Sequence, residues 1–499
     1  MRLWKRSLLL IPLVLVGLVA SVHLLENWRG ARAWEAWKAS RQAAGDSYDM
    51  KVFNPEPIPD AENYAAHPAV AKAMKVVDPT IRNPISQTEL PAQAPPSGSW
   101  AEGRREDLKA WEATLQTRDL SAFLETYREP LARIEEASHR PHCRLPVDYT
   151  KGEVPSLLGH RGFARTFRLR ALVRLQQRRP AEAEEDILTV LRIANVLEED
   201  PALITHLLRV AMIRLMAQPL WEGLEAHAWT EPQLAALQQA LARVDALKSY
   251  RRGLEVERLY WVQEDAYHFP TLSNRFINNQ GWGESYVFPG WGWRLLCGNV
   301  IPAGWLRQNL LAHDRTWVEV FLPAMPPGEH RMDARILDKH HADQLERERR
   351  KEPLTPYTFI AKQSAQHFLY QQCQRAARTQ VLLDQAVIVC ALERFRLAKG
   401  RYPEVLAELC PIYLTRIPED PVGEGSYRYR RLPAGSFQLW SLGWDGKDDG
   451  GESVLEGDFV VMGGEGEETQ GCARFEQNRK ATLRESLDRG DWAWPARKD

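Results

Sequence analysis

From Ser7 to Leu25 nineteen consecutive residues carry no Asp, Glu, Lys or Arg, and Arg2, Lys5 and Arg6 stand just before them. At ~1.5 Å of rise per residue such a run forms a helix close to the ~30 Å hydrocarbon thickness of a bilayer. The preceding cations hold the N-terminus in the cytoplasm and send the chain beyond Leu25 across the membrane. The expectation is a single-pass anchor in the inner (cytoplasmic) membrane with an extracytoplasmic body. A cleaved signal peptide is the competing reading, since Val19, Ala20 and Ser21 would pass as a cleavage site with small residues. No Gly or Pro occurs from Ala31 to Ala44, so the helix is expected to continue past the interface, carrying Trp34 and Trp37, as a stalk.

A chain of 499 residues exceeds what one hydrophobic core usually serves, which predicts several parts joined by linkers. Its 65 Lys and Arg against 66 Asp and Glu remove the electrostatic case for a nucleic-acid partner. The six cysteines, Cys143, Cys297, Cys373, Cys390, Cys410 and Cys472, include no C-x-x-C pair, which argues against a metal-thiolate site. Outside the cytoplasm disulfides would be allowed, and Cys390 with Cys410 is the first pair to test.

After a membrane-proximal segment 1–45, residues 46–100 are dense in Pro, including Pro55, Pro57, Pro59, Pro68, Pro79, Pro84, Pro91, Pro95 and Pro96, and read as an extended tether. The stretch from Trp34 to Pro68 resembles a segment of uncharacterised bacterial membrane-anchored helical proteins, a likeness that brings no activity with it. Residues 101–269 show apolar positions at three- and four-residue spacing, as in Phe163, Phe167, Leu169, Leu172 and Leu175. Pro180 precedes a helix from Ala181 to Leu197, Pro201 opens another reaching about Leu224, and Thr230 caps a fourth that begins Glu231-Pro232. The segment from Ala171 to Ala194 resembles a tetratricopeptide-type hairpin without a clear repeat period. An α-helical array results, and such arrays either bind proteins along a groove or fill space as ordinary bundles. Residues 270–356 lose periodicity while Trp282, Trp291, Trp293 and Trp305 gather among Gly and Pro. They read as a ligand-facing surface or as an irregular insertion packed on the array. Asp333 to Lys351 is expected to be a solvated charged helix or loop.

Residues 357–465 begin with a long helix ending in Leu392, Phe395 and Lys399-Gly400-Arg401-Tyr402-Pro403, where Gly supplies a left-handed cap and Pro forbids continuation. Tyr427 and Tyr429 alternate with Arg428 and Arg430, and Phe437 and Leu439 alternate in turn, which predicts two short strands around the turn Pro433-Ala434-Gly435. The loop after the second strand interleaves Asp445, Asp448, Asp449 and Glu452 with Gly443, Gly446, Gly450 and Gly451. Calcium takes six to eight oxygens, and a Gly-rich acidic loop can turn carboxylates and carbonyls inward at modest strain. A solvated acidic hairpin is the other reading, and the EF-hand pattern is absent.

With Tyr413-Leu414, Pro418, Asp420-Pro421, Gly423 and Ser441-Leu442-Gly443-Trp444-Asp445-Gly446 added, the stretch from about Gln380 to Val461 resembles the globular part of the major pseudopilin of type II secretion systems. The resemblance implies a small α+β domain and a structural calcium ion (Ca2+) held by Asp445, the carbonyl of Leu442 and a later acid for which Asp458 would stand. Asp448 and Asp449 are further candidates here. No prepilin cleavage motif precedes the membrane span, so a borrowed module that docks to secretion or envelope components is expected rather than a fibre subunit. Residues 466–499 read as a polar tail.

No H-E-x-x-H, G-x-S-x-G, G-x-x-x-x-G-K-[ST] or helix-leading G-x-G-x-x-G occurs. His340 and His341 beside Asp338 and Asp343 point in different directions on a helix and read as surface residues rather than metal ligands. Glu264, Asp265 and Glu284 near Trp261 and Trp282 are the carboxylates and aromatic platforms a glycan-binding or glycan-hydrolysing enzyme would use. The preferred expectation is a mainly α, membrane-anchored protein with an α-helical array and a small C-terminal α+β domain. It would act through protein partners, without catalysis.

Overall fold

A computed structural model describes residues 2–74, 108–109, 112, 119–151, 157–267, 302–350, 357, 366–433, 435–457 and 483–494. Helix α1, Arg2–Ala43, is continuous through the apolar run and beyond it. Every described side chain from Val14 to Leu25 is exposed except the half-buried His23. At Glu26 the helix becomes one wall of the body. It lies along α10 (Ala303–Thr316), which runs in the same direction: Gly304 meets Glu26 and Gly30, Leu310 meets Trp34, and Asp314 meets Trp37. The expected stalk is therefore a docked helix, because Trp34 and Trp37 have partners in the protein itself.

The first half of the expected tether is packed as well. Met50, Tyr64, Ala65 and Val70 are buried, and Pro68 opens a short helix α2, Pro68–Met74. Proline at a first helical position costs no hydrogen bond, which is why a Pro-dense stretch can still enter a core. Residues 75–100 lie outside the described part.

After the short helices α3 (Leu120–Glu125) and α4 (Arg128–Ala137) comes the array: α5 Leu158–Gln176, α6 Pro180–Val196, α7 Leu203–Glu225, α8 Glu231–Ala242 and α9 Ala246–Tyr267. The bounds of α6, α7 and α8 match the expected helices to within about two residues, and Thr230 caps α8 as expected, in a capping box with Gln233. Helix α5 packs on α6 and α7, and α7 on α6 and α9. Arg170 and Arg174 of α5 both reach Asp186 of α6, at 2.5 and 2.7 Å, which fixes the first hairpin's register. Helix α7 is long and apolar enough to cross a membrane by length and composition, yet most of it is buried in the body. Its Arg209 bonds to the Ala194 carbonyl and pairs with Glu198, so α7 is the core helix of the body.

Residues 302–350 are more regular than expected. Helix α10 passes through a π turn at Trp317–Phe321, and α11, Ala334–Arg349, comes next. The Gly and Pro of this stretch fall before α10 or between helices, at Pro323, Pro326, Pro327 and Gly328, and leave α10 beyond Gly304 and α11 free of them. The charged α11 is exposed on one side and buries Ala334 and Leu337 on the other. The Trp-rich residues 268–301 lie outside the described part.

Helix α12, Gln366–Lys399, is about 50 Å long by its rise per residue. It ends at Gly400, whose φ of 73° is the left-handed conformation the sequence requires. The array, chiefly α8, α7 and α9, packs against α12, and so does the small sheet. Strands β1 (Arg428–Leu432) and β2 (Ser436–Ser441) form the expected hairpin, with Tyr429 opposite Leu439. Two further strands, β3 (Ser453–Gly457) and β4 (Leu483–Gly490), make an antiparallel ribbon. Strand β5, Trp492–Trp494, adds antiparallel to β2, so the sheet order is β1-β2-β5. The end of the expected polar tail is thus structural, with Trp492 and Trp494 buried. One hydrophobic cluster runs from Tyr64 through the array and α12 to Trp494, so the α+β unit shares its core with the array. The body is mostly helical with a small antiparallel sheet, as expected.

Candidate metal-binding loop

The acidic loop leaves β2 at Leu442, which is buried and whose N–H donates to Asp420 Oδ2 at 3.2 Å. Asp420 Oδ1 accepts from the N–H groups of Val422 and Gly423, both at 3.1 Å. This buried carboxylate therefore ties the Asp420-Pro421 turn to the loop entrance. Trp444 donates to Asp338 Oδ1 at 2.6 Å, and Tyr370 donates to the same oxygen at 2.7 Å. His341 stacks on Tyr370 with ring centroids 4.2 Å apart, and His340 lies edge-on to Phe321. His341 is a packing group of the α11–α12 contact, and His340 packs α11 on the π turn.

Farther along, Asp445 is half-buried and its Oδ1 accepts from Lys447 N–H at 3.1 Å. Asp448 is exposed; its Oδ1 accepts from Trp440 Nε1 and Gly450 N–H, both at 3.0 Å, and its Oδ2 lies 3.6 Å from Arg428. The Trp440 and Gly450 bonds hold this carboxyl below the usual range. Asp449 is exposed, and Asp458 lies outside the described residues. Gly450 and Gly451 have φ of 73° and 88°, conformations that side chains resist.

The loop closes against a residue that sequence reasoning missed. Asp491, fully buried between β4 and β5, accepts Gly451 N–H on Oδ2 at 2.7 Å, while its own N–H donates to the Glu452 carbonyl at 3.0 Å. Its Oδ1 is buried and has no hydrogen-bond partner. Burial first, and then the charges of Asp448 and Asp449, push its carboxyl up to about 6. In the sequence Asp491 reads as part of a polar tail, because its pairing with a loop some forty residues earlier leaves no local signal.

Among the described residues no group of three or more His, Cys, Asp or Glu is already gathered as a metal site. The donor chemistry nonetheless suits a hard cation: the buried Asp491 Oδ1 has no hydrogen bond, and its carboxylate feels the negative charges of the exposed Asp448 and Asp449.

Elsewhere, described cysteines Cys143, Cys373, Cys390 and Cys410 are all free, so Cys390 and Cys410 are not joined. Of the glycan-enzyme candidates, Trp282 and Glu284 lie outside the described residues, as do the side chains of Trp261, Glu264 and Asp265. Comparison of the chain with protein-family models, curated proteins and solved structures gives no match.

Proposed function

We propose that the chain is a single-pass membrane protein whose extracytoplasmic body is a rigid scaffold for protein partners, with a calcium-stabilised loop on its pseudopilin-like unit. The observation that carries the anchor is the apolar surface of α1. Val14, Val16, Leu18, Val19, Leu24 and Leu25 are each more than half exposed, on every side of the helix, and the body does not cover them. A helix apolar all round needs an apolar surrounding, and lipid supplies one. The polar side chains described within this run, Ser21 and His23, each bond to the carbonyl four residues back, at 2.8 and 2.9 Å, which suits a medium without water. The anchor is rigidly joined to the body, since Asp314 accepts from Trp37, Tyr48 and Arg258 at 2.6, 2.7 and 2.6 Å.

Calcium at the loop would engage Asp491, Asp448 and Asp449, with Asp445 and the Leu442 carbonyl as the resemblance implies, and would tie the loop to the β4–β5 junction. Its contribution is folding free energy, because an ion that binds the native state alone must stabilise it. Topology is tested by fusing alkaline phosphatase after Asp499: an active enzyme is expected, and an inactive one with a fluorescent cytoplasmic reporter at the same place would reverse the orientation.

A further inference from the structure

The body reaches α1 within one helical turn of the last exposed aliphatic residue of the run, Leu25. Gly304 N–H donates to Asn27 Oδ1 at 2.9 Å, and Trp305 Nε1 donates to Glu26 Oε2 at 3.1 Å. On the outer side Trp28 is 58% exposed, with the guanidinium of Arg32 5.4 Å above its ring. Arg29 lies 5.9 Å over Tyr357, whose ring stands edge-on to Trp305 at 6.4 Å. Three aromatic side chains, Trp28, Trp305 and Tyr357, and two guanidiniums thus gather in the first two turns beyond the apolar run. Arg29 shares its charge with Glu26 at 2.8 Å, whereas Arg32 has no acidic partner among the described residues.

Resting on the anchor reading, we propose that this collar binds the phosphates of anionic phospholipid headgroups. Indole and phenol rings favour the boundary between acyl chains and headgroups, and a guanidinium matches a phosphodiester with paired N–H donors. Arg32 and Arg29 take the phosphate while Trp28 settles at the glycerol level. The body then stands directly on the bilayer, because about two turns of helix or less separate the collar from Leu25.

The test uses the full chain extracted with lipid and analysed by native mass spectrometry after equilibration with phosphatidylglycerol and phosphatidylcholine. The parent is expected to retain phosphatidylglycerol selectively, and R32Q is expected to retain about fivefold less, since a cation near an anionic surface contributes about that factor. R29Q/R32Q is expected to lose the selectivity, while R128Q/R133Q, on the exposed face of α4, leaves it unchanged. An unchanged melting temperature in R32Q separates lipid loss from misfolding. Equal retention by the parent and R29Q/R32Q would overturn the collar and leave the anchor standing. A parent that stays in aqueous solution without detergent or lipid would remove both.

Discussion

At the scale of single residues, Asp491 and His330 tie the body's stability to pH. Asp491 is a carboxylate kept out of water with one oxygen unsatisfied, so its charge opposes folding. Because its folded value of about 6 lies above the ordinary Asp value, the stability it contributes is present below about pH 4 and is lost as pH rises through 6. Without calcium, Asp491→Asn is expected to raise stability at pH 7 by on the order of 1 to 2 kcal/mol, with the gain vanishing near pH 4, as read by chemical denaturation. With calcium the order reverses: the parent's melting temperature rises, more at pH 7 than at pH 5, and that of Asp491→Asn does not. Equal calcium stabilisation of both proteins would remove the site.

His330 has the opposite sign of usefulness. It lies 3.3 Å from Asp245 at the α8–α9 turn and 3.4 Å from Asp384 on α12, and Tyr427, just before β1, donates to Asp384 at 3.0 Å. Burial lowers its basicity, but the two carboxylates win and raise it to about 10. Its contribution is complete below the ordinary histidine value and is lost as pH rises through 10. His330→Gln is expected to cost about 1 kcal/mol at pH 7, a figure reduced for the ring's partial exposure, and the gap should close in titrations toward pH 10.5. A gap independent of pH would mean the imidazolium is not what joins array, α12 and sheet.

At the scale of elements, the α1–α10 contact is set by two glycines. A Cβ on Gly304 would meet the Glu26 carbonyl at 1.8 Å, and one on Gly30 would meet the Gly304 carbonyl at 2.2 Å, so neither helix can yield without parting. Gly304→Ala is expected to cost about 1 to 3 kcal/mol and to speed amide hydrogen exchange in α1 from Trp28 to Ala43, while α5 to α8 keep their protection. Unchanged exchange there would mean that the glycine contact does not set the docking of α1. Helices with clear stops were legible: Pro180, Thr230 and Gly400 each act locally, through a missing donor, a side-chain cap or a left-handed φ. The strands at Tyr429 and Leu439 were legible for the same reason, since alternation is local. The docking of α1, the packing of the Pro-dense residues 46–74, and the place of Asp491 and β5 were not. Each depends on a partner distant in sequence, such as Gly304 for Glu26 or Gly451 for Asp491, and no single-residue preference encodes that pairing.

At the scale of the whole molecule, array and α+β unit are one core. A small apolar cavity shows it: Trp494 of β5 lines it together with Ile187, Ile213, Met216 and Leu220 of the array and Leu382 and Leu383 of α12. Trp494→Ala is expected to cost about 3 to 5 kcal/mol and to lower one shared thermal transition, where a separately folding C-terminal unit would melt as a second step. Sharing a core fixes the body's shape, and the α1 contact fixes that body to its proposed anchor, so a partner would meet a surface at a set height and angle above the bilayer. The proposed anchor depends on lipid covering the exposed apolar part of α1, and extraction of membranes with alkaline carbonate tests this most directly. The full chain is expected to remain in the sedimented membranes while a chain lacking residues 7–25 is released; a full chain released as completely as the shortened one would contradict the anchor and the scaffold built on it.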